Sequence, residues 1–197
     1  VDGDGKELYR IEGFLPTEDF LDTLDPETLD FLLKTSVPER LCAGLASALS
    51  GVELGQAMLE KIQAQDLFLQ PLDEDGTWYR YHHLFEDYLR RRLERDYPGR
   101  TKELHLIAAR WYSENGFPSD AVDHALAAGD VELAVEIVES RAMWLVEHSS
   151  MSTLLALVGK IPAGHVAGQA RLQTAVAWAH TLLHQSAAAQ SAQGFGL

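Results

Sequence analysis

One cysteine is present in 197 residues. With Cys42 as the single thiol, no internal disulfide can form, and a reducing compartment, most simply the cytoplasm, is expected. Cys42 lies among apolar neighbours in "RLCAGLASAL" and reads as a small buried structural residue rather than a nucleophile. No apolar run approaches the roughly 18 residues that cross a bilayer, so no membrane contact is expected. The N-terminal "VDGDGKELYRIEG" is acidic and polar, unlike a secretory leader. Val at position 1 and the closing "SAQGFGL" lead to the expectation of an internal piece of a longer chain.

Basic charge is also scarce. Residues 1–98 hold 10 Lys/Arg against 21 Asp/Glu, and residues 99–197 hold 6 against 9, for a net charge of -14. Neither half has the electrostatics with which proteins neutralise a phosphate backbone, so direct DNA binding is not expected. No GxxxxGK[ST] phosphate loop occurs. The glycines of "DGDGK" and "AGLASALSG" lack its spacing and its strand–helix context. No nucleophile–base pair or paired carboxylates stand out either. An enzyme is not expected, nor a cofactor held by this stretch alone.

What is present is helical periodicity with one interruption. In "LDPETLDFLLKTSVP", Asp25 is placed to cap a helix with Pro26 at its first position; Leu29, Leu32 and Leu33 form its stripe, and Pro38 ends it. "PERLCAGLASALSG" predicts a second helix ending near Gly51. "ELGQAMLEKIQAQD" predicts a third, with Ala57, Met58, Ile62 and Leu54 inward. Then "LFLQPL" and "TWYRYH" flank "DEDG", which predicts a hairpin with Gly76 at positive φ and Pro71 on an edge strand. A helix follows at once. Leu84, Phe85, Tyr88, Leu89, Leu93 and Tyr97 share one side of it, with Glu86–Arg90 and Asp87–Arg91 as i,i+4 pairs.

The expected fold is therefore mainly α: a winged-helix-like module with a short β-hairpin over residues 1–98, then an antiparallel helical region over 99–197. Short alanine-rich helices there, beginning with "TKELHLIAARWYSENG", imply close packing. Thr101 is placed to cap this first helix, with Leu104, Ile107, Ala108, Trp111 and Tyr112 inward and Gly116 as its stop. The order Trp111, Gly116, Ala121, Ala125 suggests the start of a tetratricopeptide-like solenoid.

Three clusters have candidate chemistry. His82 and His83 are adjacent, and neighbours on a helix point about 100° apart, which argues against a shared metal. His82 falls where the strand hands over to the helix, and free N–H groups at a helix N-terminus attract anions. It is thus a candidate phosphate contact; the alternative is that both imidazoles hold the corner through backbone hydrogen bonds. The basic run "RRRLER", Arg90–Arg95, is flanked by Glu86, Asp87, Glu94 and Asp96, so a salt-bridged or domain-docking face is favoured over a DNA-reading helix. His180 and His184 have metal-binding spacing but no third ligand, so no metal site is expected.

"FLQPLDEDGTWYRYHHLFEDYLRRRL" followed by "ELHLIAARWYSENGFPSDAVDHALAAGD" resembles the MalT-like large ATP-binding transcriptional regulators of the LuxR type. The resemblance runs over nearly the whole chain. It implies a winged helix and the opening of a sensor solenoid from a signal-transducing ATPase, with the phosphate loop and the promoter-binding helix-turn-helix elsewhere in the parent. ATP and inducer would favour an open, multimerising parent, and ADP a closed, resting one. The implied partners are the parent's ATPase domain in cis and an inducer or regulatory protein at the helical region. Relatives in that class carry a winged-helix histidine, in a Met-His-Asp-like motif, against the ADP β-phosphate. "YHHL" puts His82 in the histidine place, with Tyr81 and His83 departing from the outer residues. A helical adaptor with no nucleotide link is the alternative.

Overall fold

The computed structural model describes residues 18–194. The "DGDGK" glycines and the last three residues lie outside them. By internal contacts the chain divides into two compact units, with the division after Ala108.

The first unit opens with α1 (Glu18–Leu21), α2 (Pro26–Thr35), α3 (Ala43–Ser50) and α4 (Gly55–Ala64). Asp25 caps α2 as its position suggests: Oδ1 accepts from Thr28 N–H at 2.9 Å and Oδ2 from the Thr28 hydroxyl at 2.7 Å. These bonds hold the Asp25 carboxyl down at about 2. Gly51 stops α3 at φ 81°, a left-handed cap that glycine enters without steric cost. In α4 the inward face differs from expectation. Met58, Leu59 and Ile62 are buried, whereas Leu54 is 71% exposed and Ala57 is exposed. The helix begins only at Gly55, so Leu54 precedes it, and Gly55 packs too closely against Ala43 and Ser47 for a larger residue to lead.

The hairpin is β1 (Leu69–Pro71) against β2 (Tyr79–Tyr81), antiparallel, with Leu69 opposite Tyr81 and Gln70 opposite Arg80. Asp73 organises its turn by accepting from Thr77 and Trp78 N–H, and Gly76 has φ 61°. A pairing that no local sequence signal marks completes the wing. Leu41, between α2 and α3, exchanges both backbone hydrogen bonds with Tyr79, at 2.8 and 2.7 Å. Strand β2 is thus paired on both sides, and Pro71 lies on the outer strand, where a missing N–H is tolerated.

Helix α5 (His83–Asp96) closes the module. Phe85, Leu89 and Leu93 are buried. Leu84 and Tyr97, expected inward, are 38% and 54% exposed, and Glu86 is buried in their stead at 7% exposed. Arg90 explains the exchange. Its guanidinium pairs with Glu86 and donates to the carbonyls of Ser36 and Val37 at 2.8 and 3.0 Å, at the C-terminal end of α2. Those carbonyls have no partner inside α2, and a cation there also opposes the negative end of the helix dipole. Tyr81 adds a buried link, its hydroxyl 2.8 Å from Thr35 Oγ1, and burial holds its phenol well above the ordinary range.

Helix α6 (Arg100–Glu114) starts before Thr101, whose hydroxyl donates to Glu94 and so does not cap the helix. Leu104, Ala108, Ala109 and Tyr112 are buried along α6, and Ile107 and Trp111 half-buried. The second unit continues with α7 (Pro118–Ala127), α8 (Val131–Glu147), α9 (Met151–Lys160), α10 (Ala163–Val166) and α11 (Ala170–Gly194). Gly116 (φ 85°) ends α6 and Gly129 (φ 73°) ends α7; Phe117 N–H reaches Tyr112 O and Asp130 N–H reaches Ala125 O, closing each C-terminus. Helix α8 packs on α7, α9, α10 and α11. Ala121, Ala125, Ala134, Ala142, Ala175 and Ala179 are almost fully buried, which lets these helix axes approach closely.

Candidate functional site

Several polar and charged residues of the first unit line one open groove of about 390 Å³. The hairpin contributes Gln70 and Arg80, the strand–helix corner His82 and His83, and α5 contributes Glu86, Asp87 and Arg90, together with Glu39.

The corner is built by backbone bonds. His82 N–H donates to Phe68 O at 2.8 Å, continuing the hairpin ladder by one step. His82 is then the N-cap of α5: its carbonyl accepts from Phe85 and Glu86 N–H, both at 2.9 Å. Its side chain makes no capping hydrogen bond. The two imidazole centroids lie 4.5 Å apart with the rings tilted by 33°; His82 is half-buried and His83 exposed. Among the described residues the N–H groups of His83 and Leu84 have no partner, as expected for the first turn of a helix without a side-chain cap. The corner's hydrogen bonds at His82 thus come from its main chain rather than from an imidazole, and the residue lines the groove.

Charges of both signs line this hollow. Burial raises the Glu86 carboxyl; Arg90 counteracts this, and nearby Glu39 and Asp87 add to it. Arg80 is exposed and makes no ion pair among the described residues. It was not singled out from sequence, although strand alternation carried the signal: Tyr79 and Tyr81 face the core at 3% and 2% exposed, which turns Arg80 to the opposite face.

The arginine run has no common role. Arg90 faces into the module, Arg92 pairs with Asp22 and Asp96, and Arg95 with Asp96. The expected Glu86–Arg90 pair forms. Asp87 and Arg91 make no ion pair with each other, both being exposed to competing water. Cys42 precedes α3, half-buried rather than fully buried, with burial raising its thiol. His180 and His184 are both exposed, and no cluster of three or more His, Cys, Asp or Glu positioned to hold a metal occurs among the described residues. No described helix is long and apolar enough to cross a membrane. In the second unit a smaller hollow of about 220 Å³ is lined by Glu132, Glu136 and Glu139 of α8 together with His165.

Comparison with known proteins finds similar sequences for this region. Residues 17–101 match the MalT winged helix domain. Over 198 aligned residues the chain is 50% identical to the serine/threonine-protein kinase PknK of Mycobacterium tuberculosis, a match covering 96% of the chain and 18% of that kinase. PknK of Mycobacterium bovis matches to the same extent. Over 161 residues the chain is 37% identical to the HTH-type transcriptional regulator MalT of Klebsiella pneumoniae, covering 82% of the chain and 18% of the regulator. The chain therefore spans about a fifth of the length of these relatives, which carry the same region in proteins of differently named activity.

Proposed function

Because residues 17–101 belong to the MalT winged helix domain family, we propose that the chain is the coupling region of a larger nucleotide-regulated protein. The winged helix docks on the parent's ATPase domain when ADP is bound. His82 contacts the nucleotide phosphates, and the helical region receives an inducer or regulatory protein. The observation that carries this reading is the groove: His82, whose ring is unused in capping α5, lines a hollow large enough for a phosphate at a helix N-terminus whose first N–H groups have no partner among the described residues. A docking equilibrium biased from two places, nucleotide at the groove and inducer at the helices, is what allosteric control requires.

Two outputs fit such a parent. Transcriptional activation follows the likeness to MalT. The higher identity and fuller coverage against PknK favour a second reading, in which the same device gates a kinase. A phosphotransfer assay and a promoter-binding assay on the full-length parent separate the two.

The test of the shared mechanism is His82→Ala in the full-length parent, with ADP affinity measured by calorimetry and basal output measured without inducer. Weaker ADP binding and raised basal output are expected. Unchanged values of both would overturn the reading.

A further inference from the structure

We infer that Arg80 is a second phosphate-binding residue of the groove and provides more of the anion affinity than His82. The inference rests on the nucleotide reading above and identifies which side chain carries most of the binding.

Arg80 is the central residue of β2, and the buried Tyr79 and Tyr81 fix its outward direction. His82 follows in extended backbone, at φ -59° and ψ 133°. Residues two apart in an extended segment share a face about 6.5–7 Å apart. Arg80 and His82 therefore project to the same side, and both line the groove. This spacing is rigid. The backbone of Tyr79 is pinned by Leu41, that of Arg80 lies in the hairpin ladder opposite Gln70, and His82 N–H is held by Phe68 O.

The charges around Arg80 favour a ligand over an internal ion pair. Three carboxylates, Glu39, Glu86 and Asp87, line the same groove, yet Arg80 pairs with none of them. Glu86 is taken by Arg90, whose donors are also committed to Ser36 and Val37 carbonyls. Among the described residues Arg80 is left as the groove's uncommitted guanidinium, with Gln70 opposite it in the hairpin register. A guanidinium is charged at every working pH and offers a planar fork of N–H donors that matches two phosphate oxygens; an imidazole offers one donor.

Full-length parent protein is titrated with ADP and, separately, with adenosine, as wild type and as Arg80→Gln, Arg80→Lys and His82→Ala. Arg80 is exposed, so the Arg80 variants are expected to fold, which circular dichroism checks. Arg80→Gln is expected to weaken ADP roughly 10- to 100-fold, the range for a lost hydrogen bond to a charged group, and to leave adenosine unchanged. Arg80→Lys retains part of the affinity, and His82→Ala loses less than Arg80→Gln. ADP binding that survives Arg80→Gln but falls with His82→Ala overturns the inference and leaves the nucleotide reading intact. A wild-type parent that does not bind ADP, or indifference to all three variants, overturns both. Equal losses of ADP and adenosine would show that Arg80 acts on the whole site and not on phosphate, and would also overturn the inference.

Discussion

The two units bury different chemistry. Thr28, Thr35, Ser36, Ser50 and Glu86, the buried polar residues among those described, all belong to the first unit, where four aromatic rings, Phe31, Tyr79, Tyr81 and Phe85, are buried among leucines. In the second, alanine is the commonest buried residue, with Leu, Val and Ile at most other positions and Tyr112 as its one buried aromatic ring among the described residues. A buried hydrogen bond has strict geometry and is costly when left unmade, so the first unit admits one arrangement of its hairpin and helices. Alanine contacts lack directionality, and they tolerate small slides of one helix along another. The difference fits a first unit with a fixed groove and a second unit whose helices can adjust their packing.

The strongest challenge to this contrast is a cavity in the first unit. Leu89 is fully buried on α5. Leu89→Ala should cost about 2–5 kcal/mol, read as a lower urea midpoint in the fluorescence of Trp78, the one tryptophan within residues 1–108. Next comes overpacking in the second unit. Ala125 is fully buried on α7, and Ala125→Leu should cost about 1–3 kcal/mol, with faster amide exchange confined to α7, α8 and α9. If leucine is accepted there without loss, alanine is not setting the helix spacing and the contrast fails.

The smallest effects concern pH, and they sharpen the contrast because two opposed shifts lie in the first unit. The folded Glu86 carboxyl is raised, chiefly by burial, so the folded state keeps a proton that the unfolded chain releases near 4.5. Its contribution is fully present below 4.5 and is lost as pH rises through the raised value. The folded Asp25 carboxyl is lowered, so its contribution is present above 3.8 and is lost as pH falls through about 2. Urea titrations across pH should show both slopes. Glu86→Gln should abolish the first and Asp25→Asn the second.

Legibility in the sequence followed the range of the interaction. Asp25 with Pro26, the Gly51 stop, the "DEDG" turn and the start of α5 beside His82 all depend on residues within a few positions. Each could be read from local preference. The inward faces of α4 and α5 were read less well. Hydrophobicity put Leu54, Leu84 and Tyr97 inside and Glu86 outside, and the reverse holds. Glu86 is accepted in the interior because Arg90 comes with it, and Arg90 is held by carbonyls more than fifty residues earlier.

The sequence by itself determined the longer helices, the hairpin and the placing of His82 at a strand-to-helix corner, because caps, turns and periodicity act over one or two turns of chain; the four-residue helices α1 and α10 are too short to show a period. The absence of a phosphate loop and the acidic balance were likewise plain from composition. Only the tertiary structure decided that Leu41 completes the wing across to Tyr79, that the arginine run divides between packing and surface, and that Arg80 lies in the groove with His82. Those outcomes depend on pairings between distant segments. Strand register and the competition among carboxylates for a few guanidinium groups are set only once the core has closed.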